Sequence, residues 1–229
     1  MSKPTIAVVA IATGPYVSLA HALGDSVRQH FPPGTDFRMI GGHCRAWWPH
    51  LPWPLGTLLR YHALLAESRL WCTDDYAYLI DADMRVVAPI GEEILGQSVA
   101  VLHPGYHESP RHDLPYETQP DSTAAVASRE GDSYYSGALV GGEAAEFHGR
   151  CQDIAGMIDE DMRNHVIARW HDESYLNRDL IDHPPTIVLP PTYCSPQSGH
   201  YPGSQPAKIV ALDKPLSLSG RTRDPEARA

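Results

Sequence analysis

No uninterrupted apolar run in this 229-residue sequence approaches the roughly 20 residues that a membrane-spanning helix needs. The sequence also has no G-x-G-x-x-G pattern and no G-x-x-x-x-G-K-[ST] loop, so it gives little support for a dinucleotide or ATP site. Its four cysteines are widely spaced, with no C-x-x-C pair, and we expect free thiols rather than disulfides or a zinc site. What remains, with 42% hydrophobic and 20% charged residues, is the composition of a soluble globular protein.

Positive charge is also scarce. The sequence has 18 Lys and Arg against 28 Asp and Glu, which gives a formal net charge of −10. This charge argues against nucleic acid and anionic membrane surfaces as partners. A phosphate-bearing ligand would have to be met by a local cation, because the overall field opposes its binding.

The order of the predicted elements indicates an α/β fold. Residues 5–12 are a continuous apolar run typical of a buried, parallel strand. Helical periodicity over residues 16–31 and a strand at 36–40 follow, as in many nucleotide-binding domains. The remaining predicted elements are strands at 76–80, 99–102, 133–142 and 186–189, and helices at 55–70, 91–95, 143–168 and 170–180. No repeat or second core is evident, so residues 1–229 are expected to form one domain with a flexible tail from about residue 195.

Two connections are unusual in composition. Residues 106–131 are polar and have no sustained period, and a connection of that length is more often functional than idle. Trp47, Trp48 and Trp53 lie in a proline-rich stretch, where they could pack into the core or stack on a sugar; we favour core packing.

The predicted strand at 76–80 runs directly into Asp81-Ala82-Asp83. In an extended backbone, residues i and i+2 point to the same side, so the two carboxylates would converge. Converging carboxylates repel unless a cation lies between them, and their hard oxygen ligands suit Mg²⁺ or Mn²⁺ carrying a diphosphate. The alternative is a strand followed by a solvated acidic turn.

A second acidic pair, Asp172 and Glu173, begins another predicted helix. A retaining group transfer from a sugar diphosphate needs a metal at the leaving diphosphate and a carboxylate on the opposite face of the sugar, and Glu173 or Asp172 could be that carboxylate. The alternative is a favourable helix-dipole arrangement.

His103, beside a Pro-Gly turn at a strand end, could contact substrate or pack in the core. The basic residues near the end of the chain could form a lid or a solvated tail.

Taken together, these segments resemble family 6 of the retaining glycosyltransferases, which includes the blood-group A and B transferases and smaller bacterial members. The resemblance runs from about residue 5 to residue 193, and its most specific piece is W-H-D-E-S at 170–174. Supporting pieces are L-H-P-G-Y at 102–106, E-G-D at 130–132, Y-Y at 134–135, G-G at 141–142, P-T at 185–186 and V-L at 188–189. The segments at 11–16 and 53–62, the short length and the absent membrane anchor are similar to the bacterial branch.

The resemblance implies a GT-A fold, a single Rossmann-like nucleotide-sugar-binding domain whose mixed central sheet is flanked by helices. It implies a retaining transfer of galactose or N-acetylgalactosamine from its UDP-sugar, in α-1,3 linkage, to a β-galactoside or fucosylated galactoside on an oligosaccharide or glycolipid. Mn²⁺ or Mg²⁺ would assist the reaction. The protein would be located in the bacterial cytoplasm, either free or at the periphery of the inner membrane.

The resemblance also assigns roles by matched position. Glu173 would be the catalytic carboxylate, Asp81 and Asp83 the metal ligands, and His103, Trp170 and Glu173 the acceptor contacts. The donor-binding residues would be Ala10, Ile11, Tyr16, Arg60, Asp81, Asp83, Ser136, Gly137, Ala138 and Asp172. The residues available to close over the diphosphate would be Lys214, Arg221 and Arg223.

The sequence departs from the family pattern in informative places. Many bacterial members carry Asn-x-Asn and work without metal, so the intact Asp81 and Asp83 predict metal dependence. The acceptor-loop pattern is changed to P-Y-E-T-Q at 115–119, which puts the acceptor in doubt. Ala138 is typical of galactose users because its methyl crowds an acetamido group, but the small Ser136 also occurs with Ala in an N-acetylgalactosamine user. These residues favour UDP-galactose.

Three other interpretations compete. One is a metal-independent N-acetylgalactosaminyltransferase, and a second is a catalytically silent galactoside-binding module on the same fold. The third is a haloacid-dehalogenase-like phosphatase. That class expects Thr or Val where this chain has Arg85, and a second Asp where it has Ser136.

Overall fold

A computed structural model describes residues 3–42, 46–198 and 206–214. Six strands form a central sheet in the order β2-β1-β3-β6-β5-β7, and three short strands form a second sheet in the order β4-β9-β8. The strands are β1 (Ile6–Ile11), β2 (Thr35–Ile40), β3 (Tyr76–Ile80), β4 (Met84–Val86), β5 (Ser98–Leu102), β6 (Tyr135–Glu143), β7 (Ile187–Leu189), β8 (Ser195–Pro196) and β9 (Ile209–Ala211).

The central sheet is mixed. Strand β1 pairs in parallel with β2 and β3, and β7 pairs in parallel with β5. Strand β6 runs antiparallel to both β3 and β5, so its first residues lie beside the carboxyl ends of those strands. Ile80 pairs with Leu139. The segment 136–138 therefore lies at the sheet edge where open α/β sheets bind their ligands.

Helices cover both faces of the sheet. They are α1 (Tyr16–His30), α2 (Leu55–Leu58), α3 (Arg60–Ala66), α4 (Ala144–Arg163) and α5 (Asp172–Asp182). Alternate residues of β1 face opposite sides, as a strand requires: Val8 packs with α1, and Val9 packs with the helices after β2. The predicted α/β architecture with a mixed, helix-flanked sheet is confirmed.

The glycines at the end of β6 allow close approach of the neighbouring backbone. A Cβ at Gly141 would lie 2.2 Å from the Ala77 carbonyl oxygen, and one at Gly142, whose φ is +142°, would lie 2.2 Å from the Gln97 carbonyl oxygen. Neighbouring strands therefore approach the β6 backbone as closely as only glycine permits.

Three local expectations were wrong. The helix predicted over 55–70 is divided at Leu59, which has φ −92° and ψ 19°, into α2, α3 and a short 3₁₀ turn. The helix predicted over 143–168 ends at Arg163, shortly before the left-handed His165, because a helix cannot continue through that conformation. Trp47 and Trp53 are 70% and 67% exposed rather than packed in the core, whereas Trp48 is partly buried against it.

The second sheet joins distant parts of the chain. Strand β9 pairs antiparallel with β4 and in parallel with β8. Both β8 and β9 belong to the segment expected to be a flexible tail, whereas Arg221 and Arg223 lie outside the described residues. No helix in the described ranges combines the length and apolarity that crossing a bilayer requires.

Candidate active site

Asp81 and Asp83 lie on a turn between β3 and β4, not on an extended strand as predicted. The Met84 N–H donates to the Asp81 carbonyl at 3.0 Å, and this bond closes the turn. The Asp81 N–H donates to the Ala138 carbonyl at 3.0 Å and fixes the turn against β6. Burial raises the pKa of Asp81. The nearby negative charge of Asp83 raises it as well, so the two carboxylates are close enough to repel each other.

Lys214 approaches this turn from the end of the second sheet. Its Nζ lies 2.9 Å from Asp83 Oδ2 and 5.5 Å from the centre of the Tyr16 ring. The Leu212 N–H donates to the Asp83 carbonyl at 2.9 Å, so backbone and side chain both hold this segment at the turn. A cationic group thus meets Asp83 where the sequence suggested a diphosphate lid.

Arg60 connects the two acidic pairs. Its guanidinium lies 3.1 Å from Asp81 Oδ1 and 3.0 Å from Asp172 Oδ2, and it donates to the Gly137 carbonyl at 3.0 Å. Its planar, forked donors suit this three-way contact better than an ammonium would. The buried Asp172 is thereby linked to the turn that carries Asp81.

Glu173 is fixed by a backbone donor. The Gly137 N–H donates to Glu173 Oε2 at 2.8 Å. Asn177, one turn later on α5, accepts from the Tyr135 N–H at 2.8 Å and donates to the Tyr135 carbonyl at 2.9 Å. Strand β6 therefore holds both the catalytic candidate and the helix that carries it.

Burial dominates the protonation of this cluster. It raises the pKa of Asp172 to about 7, against the opposing effect of Arg60 and with the charges of Asp81 and Glu173 adding to the rise. Burial also raises the pKa of Glu173, opposed by the Gly137 N–H. Carboxylates with raised pKa values around one guanidinium are typical of catalytic sites.

The start of α5 is strained. His171, the residue before the helix, has φ 53° and ψ −129°, an uncommon backbone conformation for a residue other than glycine. The Trp170 N–H donates to Ser174 Oγ at 3.0 Å, which ties the segment before His171 to the first turn. Such strain is concentrated at functional sites, and here it precedes Asp172 and Glu173 directly.

His103 and Trp170 border the same aromatic cluster. The His103 ring lies 4.9 Å from that of Tyr106 and 5.8 Å from that of Tyr134, and Trp170 packs against the cluster around Tyr134 and Tyr116. The Gly105 N–H donates to His103 Nδ1 at 3.0 Å, and burial lowers the His103 pKa to about 4. The imidazole is therefore neutral with its proton on Nε2, which makes that nitrogen a hydrogen-bond donor.

The proposed nucleotide side lies at the end of β1. Ala10 is fully buried, whereas Ile11 and Tyr16 keep part of their surface exposed. Ile11 and Tyr16 are thus the better placed of the three predicted residues to contact a base or ribose.

Two residues near the site were missed by the sequence reasoning. Asn177 lies within the range of the family resemblance but has no role in the sequence prediction. Cys194, treated only as a free thiol, donates from Sγ to Ser136 Oγ at 3.3 Å, so the segment between β7 and β8 contacts the strand that carries residues 136–138. Burial raises the pKa of this thiol to about 12, which keeps its proton in place. No sequence pattern marks either contact, since both depend on how distant segments pack.

Asp153, Asp179 and His183 form a group whose ligand atoms lie within 4.8 Å of one another. Asp179 already pairs with Arg150 at 2.5 Å. This group is separate from Asp81 and Asp83 and gives no support to the predicted metal site.

The profile of glycosyltransferase family 6 matches residues 62–214, which is most of the chain. The chain belongs to glycosyltransferase family 6. Its mixed, helix-flanked sheet is the GT-A fold of that family. Arg60 lies just outside the matched region, although it contacts two acidic residues within it.

Individual relatives come from animals and bacteria. The chain is similar to globoside alpha-1,3-N-acetylgalactosaminyltransferase 1 of Canis lupus familiaris, with 40% identity over 144 residues, 62% of this chain and 42% of that protein. It is similar to histo-blood group ABO system transferase 1 of Rattus norvegicus, with 40% identity over 128 residues, 56% of this chain and 37% of that protein. The match thus spans less than half the length of these two animal proteins.

A bacterial relative matches over more of its length. The O-antigen biosynthesis glycosyltransferase WbnI of Escherichia coli is 31% identical over 164 residues, which cover 71% of this chain and 69% of that protein. The relatives' names include both an N-acetylgalactosaminyltransferase and, in Homo sapiens, alpha-1,3-galactosyltransferase 2, which is 38% identical over 125 residues.

Proposed function

We propose that this protein is a retaining glycosyltransferase that moves galactose or N-acetylgalactosamine from a UDP-sugar, in α-1,3 linkage, to a β-galactoside or fucosylated galactoside. The observation that carries the proposal is the Arg60 network. One guanidinium contacts Asp81, on the turn expected to bind diphosphate, and Asp172, beside the catalytic candidate Glu173. A donor bridging these groups would have its diphosphate at one end of the network and its sugar at the other.

The residues around this network have complementary roles in the proposed reaction. Glu173, oriented by the Gly137 N–H, would face the anomeric carbon as nucleophile or as the group that stabilises positive charge there. Asp172 would hold the hydroxyls of the donor sugar. On the other side of Glu173, His103 Nε2 and the Trp170 indole would orient the acceptor hydroxyl, since both lie at the aromatic cluster that contains Tyr134.

The donor set at the Asp81 turn fits a divalent cation. Two carboxylates offer hard oxygen ligands, and the pKa of Asp81 is raised partly by Asp83, a repulsion that a cation would relieve. Asp83 already has a positive partner in the Lys214 ammonium. When bound, Mn²⁺ or Mg²⁺ would supply positive charge to the leaving diphosphate, and Lys214 would be free to move onto the same phosphates.

UDP-galactose is the favoured donor on the character of residues 136–138. The methyl group of Ala138 would crowd an acetamido group. Gly137 has no side chain on the side that faces Arg60, Asp172 and Glu173, where an added Cβ would lie 3.5 to 3.6 Å from each. The deciding experiment measures UDP release from UDP-galactose and from UDP-N-acetylgalactosamine, with lactose or fucosyl-lactose as acceptor. Release from neither donor with either acceptor would reject the proposal and favour a galactoside-binding module.

Asp83→Asn is expected to lower Mn²⁺-dependent transfer by at least about 100-fold, because the amide removes one anionic ligand from the turn. The measurement is UDP release over a Mn²⁺ titration and in the presence of a chelator. Asp25→Asn, which changes an exposed carboxylate on α1, is the matched control. Full wild-type activity in chelator would contradict the metal assignment and place this chain with the metal-free members of its family.

The pH profile should show the raised pKa of Asp172. Below pH 7 this carboxyl gains a proton and loses its attraction to Arg60, so kcat/KM for the donor is expected to fall on the acid side of about pH 7. An ordinary aspartate would keep kcat/KM constant to near pH 4. Initial rates between pH 5 and 8, at a saturating acceptor concentration, measure the effect, and a profile flat to pH 5 would contradict it.

A further inference from the structure

Glu117 is a buried carboxylate in the long connection between β5 and β6, and no cation pairs with it among the described residues. Only 6% of its surface is exposed. Its Oε1 accepts from the Thr118 N–H at 2.8 Å and from the Gln119 N–H at 2.7 Å. Its Oε2 accepts from the Arg169 N–H at 2.6 Å, across a separation of 52 residues. Three backbone donors therefore compensate the burial of this carboxylate.

Arg169, the distant partner of Glu117, lies directly before the candidate catalytic residues. Arg169 directly precedes Trp170, the strained His171 and the pair Asp172 and Glu173. The bond from Glu117 Oε2 thus fixes the backbone at the entry to the catalytic helix. Without that bond, the backbone here would keep the bond from the Trp170 N–H to Ser174 Oγ and that from the His171 N–H to the Ala168 carbonyl, both of which are local in sequence.

The segment around Glu117 is itself a wall of the site. The Val126 N–H donates to the Glu117 carbonyl at 2.8 Å and pairs the two sides of the connection. Leu114, Tyr116 and Val126 pack with Tyr134, and Trp170 packs against this cluster. The wall and the catalytic segment therefore share one apolar cluster and are joined by one buried carboxylate.

We propose that Glu117 is a positioning residue for acceptor recognition, which fixes the wall at 114–126 and the segment carrying Trp170 as one unit. The inference rests on the proposed glycosyl transfer. Donor binding is proposed at Arg60, Asp81 and residues 136–138. Asp172 and Glu173 are held on that side by Arg60 and by the Gly137 N–H, so the loss of the Glu117 link should act on Trp170 and the wall rather than on the donor.

Glu117→Asp separates the local bonds of the side chain, to the N–H groups that follow it, from its distant bond to the Arg169 N–H. An aspartate can still accept from the N–H two residues ahead, as aspartates do in turns, but it is one methylene too short to reach the Arg169 N–H. The wild-type protein and this variant are compared in two reactions of the same donor: transfer to lactose, and hydrolysis with water as the acceptor. We expect transfer to fall by at least about 30-fold, through a higher KM for lactose, while hydrolysis and the KM for the donor change less than about threefold.

Glu130→Asp is the matched control, because Glu130 lies in the same connection and also accepts from a backbone N–H, that of Ala127, but is exposed and contacts Arg178. It should leave the ratio of transfer to hydrolysis unchanged. An equal loss of both reactions in Glu117→Asp, or no loss of either, would overturn the inference.

Hydrogen exchange of the Arg169 amide tests the link without any turnover. The amide should be protected in the wild-type protein and should exchange at least about tenfold faster in Glu117→Asp. Unprotected exchange in the wild-type protein would overturn the inference. A protected amide in a protein that neither transfers nor hydrolyses either donor would instead reject the proposed function.

Discussion

Glu173→Gln is expected to reduce transfer by at least about 1,000-fold while leaving UDP affinity within about threefold of wild type. The amide has the shape of the carboxylate, and its oxygen can still accept from the Gly137 N–H, which now donates at 2.8 Å. It cannot supply the negative charge that would attack or stabilise the anomeric carbon, and the loss of one preorganised charge at a reacting centre has effects of this size. Transfer is measured as UDP release and binding by calorimetry.

The control for this substitution is Glu143→Gln, at the far end of β6 from Gly137, where the side chain is exposed. It should leave both activity and binding unchanged. Transfer by Glu173→Gln within tenfold of wild type would remove Glu173 from the mechanism. Equal losses of transfer and UDP binding would show that the substitution had disturbed the site rather than the chemistry.

Substitutions of Arg60 should affect activity and stability together. In Arg60→Met the carboxylates of Asp81 and Asp172 lose their shared guanidinium, and breaking such a buried pair costs about 3 kcal/mol or more. Arg60→Lys keeps the charge, but a single ammonium cannot replace the forked contacts to both carboxylates and the Gly137 carbonyl. We expect transfer to fall by at least about 100-fold in both variants.

The stability loss in Arg60→Met should depend on pH with a definite sign. Asp81 and Asp172 have pKa values raised above their ordinary values, so their protonated forms are favoured in the folded protein. Without Arg60 these pKa values rise further, and the penalty grows as pH increases through them. Urea unfolding should therefore show a larger destabilisation at pH 8 than at pH 5.5. Arg69→Met, at an exposed ion pair with Glu67, should show no such difference, and a uniform loss across pH would contradict the assigned partners.

The sequence predicted the fold well where the pattern was local. The apolar runs at β1 and β3 have the period and length of buried strands, and their positions agree with the structure to within a residue or two. The chain direction of β6 could not be read from its residues, because pairing with β3 and β5 depends on segments far apart in sequence. The turn at Asp81 escaped prediction for a similar reason: it is fixed by a bond to Ala138, which no local pattern reveals.

The sequence predicted which residues belong to the candidate site better than it predicted the hydrogen bonds and ion pairs between them. Arg60 was assigned only to the neighbourhood of the donor, yet it joins residues 81 and 172 through one side chain. Glu117 was noted as part of a divergent loop, and its bond to Arg169, 52 positions further along the chain, could not be read from the sequence. Residue type shows which side chains can do chemistry, whereas the partners that orient them follow from packing.

The pairing of β9 with β4 also has a consequence for the order in which the protein is made. The turn at Asp83 is synthesised in the first half of the chain, but its partners Leu212 and Lys214 come much later. The proposed nucleotide side lies at β1, whose partners β2 and β3 both end by residue 80 and are therefore synthesised early. The side that would receive the diphosphate can be completed only once translation has passed residue 214.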